Sequence, residues 1–279
     1  MDRYAVFGNP IGHSKSPFIH TQFAQALGEQ LQYEAILAPV DNFADSWREF
    51  VAAGGKGANI TVPFKQQAYQ LAEQLSDQAK QAQAVNTLYI DKYGKLCGDN
   101  TDGIGLVMDL RRLQQKLAAS TVLILGAGGA TRGVIAPLLQ AGVANIVIAN
   151  RTLSKAQAIA DMINQTVNKE VKQQVQAADL AQIPDLAYNI VINATSSGLM
   201  GERPLIAEKH LQHCLLAYDM LYGAEPTTFL RWAKQSGVPL QADGLGMLVA
   251  QAAESFYIWR GKRPEVEPVL SMLSEQLAR

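Results

Sequence analysis

Cysteine is scarce in this sequence. The 279 residues include only two cysteines, Cys97 and Cys214, and they are far too distant to form a Cys-x-x-Cys pair. Disulfide scaffolds and thiolate zinc sites depend on closely spaced cysteines. The sequence therefore argues against both, and we expect a protein of the reducing cytoplasm.

An excess of basic charge is also lacking. Lys and Arg number 24 against 25 Asp and Glu, which gives a formal net charge of −1 at pH 7. A protein that binds nucleic acid needs clustered positive charge to neutralise the phosphate backbone. We therefore expect no nucleic-acid partner.

Long hydrophobic runs are missing as well. Gly8 and Pro10 interrupt the first apolar run before it reaches the length of a signal-peptide core. The most apolar later segment, residues 133–148, contains Gln140 and Asn145 and falls short of the about 20 apolar residues of a membrane-spanning helix. We expect a soluble, cytoplasmic protein without a membrane partner.

The four histidines form no recognisable metal-binding pattern. His210 and His213 lie one helical turn apart, but no acidic motif accompanies them, as a metal site of this spacing would require. We interpret both as surface residues and predict no metal site.

Short apolar runs alternate with amphipathic segments along the chain, which is typical of the α/β class. In the first third, strands are predicted at residues 4–7, 33–37 and 58–62, with helices at 17–27 and 42–53. Residues 85–90 and 95–98 flank the turn Asp91-Lys92-Tyr93-Gly94 and predict an antiparallel hairpin. A helix at 102–117 follows.

A second α/β series begins with the strand predicted at 121–125. The further strands are expected at 145–149, 171–175, 189–193, 215–219 and 239–242, and the helices at 130–140, 154–164 and 225–235. The tail, 244–260 and 264–277, predicts two helices with no strand after them. Two α/β series predict two domains.

A glycine-rich turn joins the strand at 121–125 to the following helix. Its residues are Gly126, Ala127, Gly128, Gly129 and Ala130. Glycines allow close approach to a pyrophosphate, and the N-terminus of the helix attracts the anion. Thr131 stands where the G-x-G-x-x-G pattern has its third glycine, and Gly129 is extra. The context favours dinucleotide binding over a purely structural turn.

The next strand indicates which dinucleotide binds. NAD sites usually carry an Asp or Glu there, about 20 residues after the glycines, but this strand ends in Asn150-Arg151-Thr152, followed by Lys155. Arg151 can stack on adenine and bind a 2′-phosphate, Lys155 adds charge, and the other two can donate hydrogen bonds. The alternative is that Thr152 caps a helix and Arg151 is solvated surface. We favour NADP.

Two serines precede the first helix. Ser14 and Ser16 lie two residues apart, so in an extended segment both hydroxyls can face one ligand. A carboxylate would be stabilised at this helix N-terminus. The alternative is that Ser16 only caps the helix.

Further polar candidates follow strands of the first series. Thr61 and Lys65 come at the carboxyl end of the strand at 58–62, where ligands bind in open α/β sheets. Asn86 and Asp102 lie in polar clusters on the hairpin and at its exit. An isolated lysine is often solvent-facing, and such Asn/Asp clusters are often turn chemistry only.

These motifs occur together in one known family. They are F-G-N-P-I-x-H-S-K-S-P at 7–17, G-A-N-I-T-V-P-F-K at 57–65, A-V-N-T-L at 84–88, G-D-N-T-D-G at 98–103, G-A-G-G-A-T-R-G at 126–133, N-R-T at 150–152, N-A-T-S-S-G at 193–198, Y-D-M-L-Y at 218–222 and A-D-G-L-G-M-L-V-A-Q-A-A at 242–253. The sequence closely resembles shikimate dehydrogenase in its bacterial biosynthetic form, over essentially the whole chain.

The resemblance implies an α/β fold of two domains. One is a mostly parallel α/β domain with an antiparallel hairpin, residues 1–101 plus 244–279, which binds shikimate and carries the catalytic residues. The other is a Rossmann NADP-binding domain, residues 102–243. In this family the C-terminal helices return to the substrate domain.

The resemblance also implies roles for individual residues. Lys65 and Asp102 match the catalytic pair, and Ser14 and Ser16 resemble the ligands of the shikimate carboxylate. The ring hydroxyls would be bound by Thr61, Asn86, Asp102, Tyr222 and Gln251. Beside the turn at 126–130 and the basic cluster at 150–155, the implied cofactor contacts are Asp77, Ala194, Thr195, Met220 and Gly244.

The implied activity is the reversible, NADPH-dependent reduction of 3-dehydroshikimate to shikimate, in the pathway to chorismate and the aromatic amino acids. Lys65 and Asp102 would handle the proton. Two alternatives stay open: a quinate/shikimate dehydrogenase of broader range, and a non-catalytic NADP-binding regulator with the same fold. The sequence does not distinguish a monomer from a homodimer.

Overall fold

Two six-stranded sheets organise the described part of the chain. The computed structural model describes residues 1–166 and 174–278, which form two compact units. Unit 1 comprises Met1–Gly105 and Leu248–Leu273, and unit 2 comprises Leu106–Met247 and Ser274–Arg279. The predicted α/β class is confirmed, whereas the predicted domain boundaries after residues 101 and 243 stay a prediction.

The first sheet has the strand order β2-β1-β3-β5-β6-β4. The elements up to residue 112 are β1 (Asp2–Gly8), α1 (Ser16–Leu27), β2 (Leu31–Leu37), α2 (Phe43–Ala52), β3 (Gly55–Ile60), α3 (Lys65–Leu71), β4 (Gln74–Leu75), α4 (Asp77–Ala82), β5 (Thr87–Ile90), β6 (Leu96–Asp99) and α5 (Asp102–Arg112). Strand β1 pairs in parallel with β2 and β3, and β5 pairs antiparallel with β3 and β6. The predicted hairpin is therefore confirmed.

Aromatic side chains fill one face of this sheet. Phe7 is fully buried and meets Phe43 and Phe50 edge-on, with ring centroids 5.8 and 5.6 Å apart. Phe64 stacks on Phe43 at 5.1 Å. Because Phe64 directly precedes Lys65, this packing fixes the point at which α3 begins.

The second sheet has the order β12-β11-β10-β7-β8-β9, and each of its pairings is parallel. The elements are β7 (Thr121–Leu125), α6 (Gly129–Gln140), β8 (Asn145–Asn150), α7 (Leu153–Thr166), β9 (Gln174–Asp179), β10 (Ile190–Asn193), β11 (Leu216–Asp219), α8 (Thr228–Gln235) and β12 (Leu240–Ala242), followed along the chain by α9 (Leu245–Arg260) and α10 (Val266–Leu277). This order is that of a Rossmann domain, in which ligands bind where the strand order reverses, beyond the carboxyl ends of the strands. Here the reversal lies between β7 and β10.

Several element ends differ from the prediction. Helix α5 ends at Arg112 rather than at residue 117, and Gln114 has a positive φ of 57°. Helix α8 begins at Thr228 rather than at residue 225, because Thr227 caps it by accepting a hydrogen bond from the Leu230 N–H. Residues 171–173 of the strand predicted at 171–175 lie outside the described residues.

The segment 65–82 contains three elements that the sequence pattern did not predict, α3, β4 and α4. The buried residues of the two helices α3 and α4 are Ala68, Ala79 and Ala82. Alanine favours helices but is only weakly hydrophobic, so the alternation of apolar and polar residues expected of an amphipathic helix is weak in this segment.

One expectation about the histidines is wrong. His210 is only 5% exposed and packs edge-on against Tyr188, within the 3-10 helix Glu208–Leu211. Burial lowers its pKa. His213 is exposed, as expected. Among residues 1–166 and 174–278, no helix combines the length and apolarity needed to cross a membrane.

Candidate functional site

An ion pair joins two helix N-termini in unit 1. Lys65 is the first residue of α3 and Asp102 the first residue of α5. Their Nζ and Oδ2 atoms lie 2.5 Å apart, and the side chains are 31% and 13% exposed. A carboxylate this well shielded needs charged or hydrogen-bonding partners. The structure thus brings the two residues predicted as the catalytic pair into direct contact.

Asn86 supplies the second partner of this carboxylate. Its Nδ2 donates to Asp102 Oδ1 at 2.8 Å and lies 3.3 Å from Gln251 Oε1. Its Oδ1 accepts from the Thr101 N–H at 2.9 Å. Because a backbone N–H can only donate, the amide is oriented with its NH₂ group toward Asp102. Asn86, Asp102 and Gln251, all predicted to bind substrate hydroxyls, therefore form one cluster.

A glycine brings Gln251 close to this cluster. At Gly105 an added Cβ would lie 2.7 Å from the Gln251 backbone N, so α5 and α9 could not approach as they do with any larger residue at this position. Asp102 is held from the other side, where its N–H donates to Asn100 Oδ1 at 3.1 Å. The position of Asp102 thus depends on both helices.

The two serines lie at the start of α1. The N-cap position is Lys15, which makes no side-chain cap hydrogen bond, and Ser16 is the first helical residue. The alternative that Ser16 only caps the helix is therefore wrong. Ser14 Oγ instead accepts from the Ser16 N–H at 3.3 Å. Thr61 follows β3, and its N–H donates to the Phe7 carbonyl at 2.9 Å.

A buried polar group that the sequence did not reveal lies farther into unit 1. Asn59 Oδ1 accepts from the Tyr33 hydroxyl at 2.8 Å and lies 3.0 Å from His20 Nε2. The His20 and Tyr33 rings stack at 4.3 Å. Burial lowers the pKa of His20 to about 3, so the ring is neutral, and its Nε2–H is the donor because the amide oxygen can only accept.

In unit 2, the glycine-rich turn leads from β7 into α6. Gly126 has a φ of +108°, which favours glycine, and an added Cβ would lie 3.2 Å from the Ala194 backbone. Gly128 and Gly129 have nothing within 4 Å of an added Cβ. Thr131, in the place of a third glycine, donates to the Gly126 carbonyl at 2.9 Å and so holds the turn. The open face beside the α6 N-terminus fits a pyrophosphate.

Exposed basic residues follow the neighbouring strand. Arg151, Thr152 and Lys155 are all exposed, and Asn150 Nδ2 donates to the Thr152 carbonyl at 2.9 Å. Residues 150–155 include no carboxylate that would repel a 2′-phosphate. The predicted cluster thus stands at the carboxyl end of β8.

The loops after β10 and β11 share a buried anchor. Asn193 Oδ1 accepts from the N–H and the hydroxyl of Thr195, at 3.1 and 2.7 Å. Its Nδ2 donates to Asp219 Oδ2 at 3.1 Å, and burial raises the pKa of Asp219.

The Met220 N–H donates to the Asn193 carbonyl. At Gly244 an added Cβ would lie 2.2 Å from the Met220 carbonyl oxygen. Ala194, Thr195, Met220 and Gly244 are thus gathered around Asn193, which the sequence analysis did not single out.

Two predicted site residues lie outside these clusters. Asp77 is 84% exposed at the start of α4 in unit 1, with Oδ1 3.4 Å from Lys80 Nζ. Tyr222 follows β11 in unit 2, and burial raises its pKa. Their roles stay predictions.

Three family models match the chain in succession. They are the shikimate dehydrogenase substrate binding domain at residues 6–88, shikimate / quinate 5-dehydrogenase at 109–221, and the shikimate 5′-dehydrogenase C-terminal domain at 244–276. The chain belongs to the shikimate dehydrogenase family.

Relatives in this family match the chain over its length. The shikimate dehydrogenase (NADP(+)) of Cellvibrio japonicus is 52% identical, over 99% of this chain and 98% of that protein. That of Shewanella halifaxensis is 50% identical, over 99% and 96%. The structure of the Thermus thermophilus shikimate 5-dehydrogenase, in complex with NADP(H) and shikimate, is 30% identical with a TM-score of 0.84, over 99% of this chain and 100% of that chain. The predicted resemblance and fold are confirmed.

The buried histidine predicts a pH dependence of stability. The pKa of His20 falls from 6.5 to about 3 on folding, so the unfolded chain binds the proton more readily between these values. The free energy of unfolding should therefore decrease as the pH is lowered from 7 to 5, by about 2 kcal/mol from this residue. Urea unfolding at pH 7 and at pH 5 measures this decrease. His20→Gln should lose this component and the exposed His13→Gln should keep it; an unchanged pH dependence in His20→Gln would contradict the assignment.

Proposed function

We propose that this protein is an NADP-dependent shikimate dehydrogenase, an oxidoreductase that interconverts 3-dehydroshikimate and shikimate on the route to chorismate and the aromatic amino acids. The observation that carries the proposal is the 2.5 Å contact between Lys65 Nζ and Asp102 Oδ2. Family membership supports the substrate, and the two bacterial relatives, both named shikimate dehydrogenase (NADP(+)), support the cofactor.

The residues of unit 1 suit a small hydroxylated acid. Ser14 and Ser16, at the N-terminus of α1, would bind the carboxylate, because the hydroxyls and the helix dipole both favour an anion there. Thr61, Asn86 and Gln251 would bind ring hydroxyls, together with Asp102. Tyr222 is a further proposed ligand of the substrate.

Bound NADPH supplies the hydride that reduces the C3 carbonyl carbon. The chain's own part is to manage the proton. Lys65 as an ammonium donates a hydrogen bond to the carbonyl oxygen and then transfers its proton to the oxygen as negative charge develops. In the oxidative direction, neutral Lys65 accepts the proton of the C3 hydroxyl.

Asp102 holds Lys65 for this step. Its Oδ2 is taken by the ammonium and its Oδ1 by the Asn86 amide, so both oxygens have fixed partners. Asp102 also accepts from the substrate hydroxyl.

The cofactor proposal rests on residues of unit 2, with Asp77 of unit 1 as a further proposed contact. The turn Gly126–Ala130 would hold the pyrophosphate, and Ala194, Thr195, Met220 and Gly244 would line the nicotinamide. Arg151 and Lys155 would bind the 2′-phosphate, with Asn150 and Thr152 as donors. The absence of a carboxylate from residues 150–155 favours NADP over NAD.

One assay tests the proposed function against its two alternatives. The purified protein should reduce NADP with shikimate, and its kcat/KM should fall at least about tenfold with NAD or with quinate. NAD lacks the 2′-phosphate that Arg151 and Lys155 would bind, and quinate carries an extra ring hydroxyl for which the proposed site assigns no partner. Equal use of quinate or of NAD would favour the broader dehydrogenase. Absence of turnover would favour the non-catalytic regulator.

A lysine substitution tests the proton transfer. Lys65→Ala should lower kcat about 100-fold or more, because general acid–base catalysis contributes a factor of this size, while KM changes little. Steady-state kinetics with shikimate and NADP measures it. Lys56→Ala, at an exposed lysine on β3, is the matched control and should keep the parent turnover. Near-normal turnover in Lys65→Ala would remove Lys65 from the chemistry.

A second substitution tests the phosphate contact. Arg151→Ala should raise KM for NADP about tenfold or more, because a charge-assisted hydrogen bond to phosphate is lost. The weak activity with NAD should not change, since NAD lacks that phosphate. Arg111→Ala, an exposed arginine on α5, provides the control. An equal loss with both cofactors would show that Arg151 does not recognise the phosphate.

A further inference from the structure

Two buried hydroxyls link the amides of Asn59 and Asn86 in unit 1. Asn59 Nδ2 lies 2.9 Å from Ser255 Oγ, Ser255 Oγ lies 2.8 Å from Thr87 Oγ1, and Thr87 Oγ1 lies 2.9 Å from Asn86 Oδ1. Thr87 and Ser255 are fully buried, and the two amides are 5% and 3% exposed. The link connects the group around His20 to the partner of Asp102.

Both ends of this link have a fixed orientation. Asn59 Oδ1 accepts from the Tyr33 hydroxyl and from the neutral His20 ring, so its NH₂ group faces Ser255. That assignment agrees with the 3.3 Å contact from Asn59 Nδ2 to the Asn86 carbonyl, which can only accept. At the other end, the Thr101 N–H fixes Asn86 with its oxygen toward Thr87 and its NH₂ group toward Asp102.

The direction of the two hydroxyl protons follows from these ends. Each hydroxyl has a single proton to donate. Thr87 donates to Asn86 Oδ1, so it must accept in its contact with Ser255. Ser255 therefore donates to Thr87 and accepts from Asn59, in preference to its longer contacts with the Gln251 carbonyl at 3.1 Å and Thr101 Oγ1 at 3.2 Å.

The result is a chain of hydrogen bonds that all run one way, from Asn59 through Ser255, Thr87 and Asn86 to Asp102. Hydrogen bonds in such a chain polarise one another in a low dielectric. The last donor, Asn86 Nδ2, is thereby strengthened as a partner for Asp102 Oδ1, and Oδ2 is left for Lys65.

We propose that Thr87 and Ser255 are positioning residues for the dehydrogenase reaction: through Asn86 they hold the Asp102 carboxylate in the orientation that keeps its other oxygen on Lys65. This inference rests on the proposed function. It adds two residues, Thr87 and Ser255, whose hydrogen bonds along this path reach Asp102 only through Asn86.

The test removes one hydroxyl at a time and measures kcat and KM. Thr87→Val keeps the shape of the side chain and deletes the donor to Asn86, and Ser255→Ala deletes the donor to Thr87. Each should lower kcat about 3- to 10-fold, the effect of one hydrogen bond. KM for NADP should not change, because the residues proposed for phosphate binding lie in unit 2. Thr87→Ser restores the hydroxyl and should recover turnover to within about twofold.

The double variant tests whether the hydroxyls act as one chain. Either single substitution interrupts the path of shortest contacts and leaves only longer ones, from Thr101 Oγ1 to Ser255 Oγ and to Asn86 Oδ1 at 3.2 Å and from Asn59 Nδ2 to Thr87 Oγ1 at 3.3 Å. Thr87→Val with Ser255→Ala should therefore lower kcat about as far as one substitution alone. Ser120→Ala is the control for the loss of a buried hydroxyl, since Ser120 is 4% exposed and donates to the Leu117 carbonyl in unit 2. It should lower the melting temperature and leave kcat unchanged.

Separate outcomes overturn the two proposals. If the parent protein turns over shikimate while Thr87→Val and Ser255→Ala keep kcat within about twofold, the positioning role is overturned and the proposed function stands. A double variant whose losses multiply, or a Thr87→Ser variant as slow as Thr87→Val, also overturns it. No turnover by the parent protein overturns both.

Discussion

The structure of the candidate site depends on one shielded carboxylate. Asp102 is 13% exposed at its side chain, with Lys65 Nζ on one oxygen and Asn86 Nδ2 on the other. Removing a carboxylate from water is unfavourable unless its oxygens find such partners. The ends of α3, β5 and α5 must therefore meet at one point. Stacking of Phe64, the residue before Lys65, on Phe43 and the register of Thr87 with Asp99 in the hairpin help to place them there.

The fold class followed from the sequence because its signals are local. A strand, a glycine-rich turn and a helix adjoin one another at residues 121–140, and the strands β7, β8 and β10 of unit 2 contain continuous apolar runs. The segment 65–82 gave no such signal, since its helices bury alanines among glutamines and lysines. The cap of α1 also differs from the prediction: sequence patterns favour Ser16 as a cap, but the helix begins one residue earlier, after Lys15.

The site was only partly accessible to sequence reasoning. Some ligands are indicated by local residue chemistry, as with the spacing of the two serines, the glycine-rich turn and the basic residues after β8. The Lys65–Asp102 contact is not local, because it joins residues 37 positions apart. Asn59 and Ser255 are separated by 196 positions, so no spacing rule connects them. Asn193 is similar, because its importance lies in the loops it gathers after β10 and β11. Family resemblance supplied the pairing that spacing could not, and the buried hydroxyls emerge only from the geometry.

The central claim is that the Lys65 ammonium and the Asp102 carboxylate meet the reacting oxygen of a hydroxylated acid. Crystals of this protein soaked with shikimate test it most directly. The C3 hydroxyl oxygen should lie within about 2.6–3.2 Å of Lys65 Nζ, with the carboxylate of the ligand near Ser14 and Ser16. Shikimate bound at a distance from Lys65, with the ion pair undisturbed, would contradict this assignment.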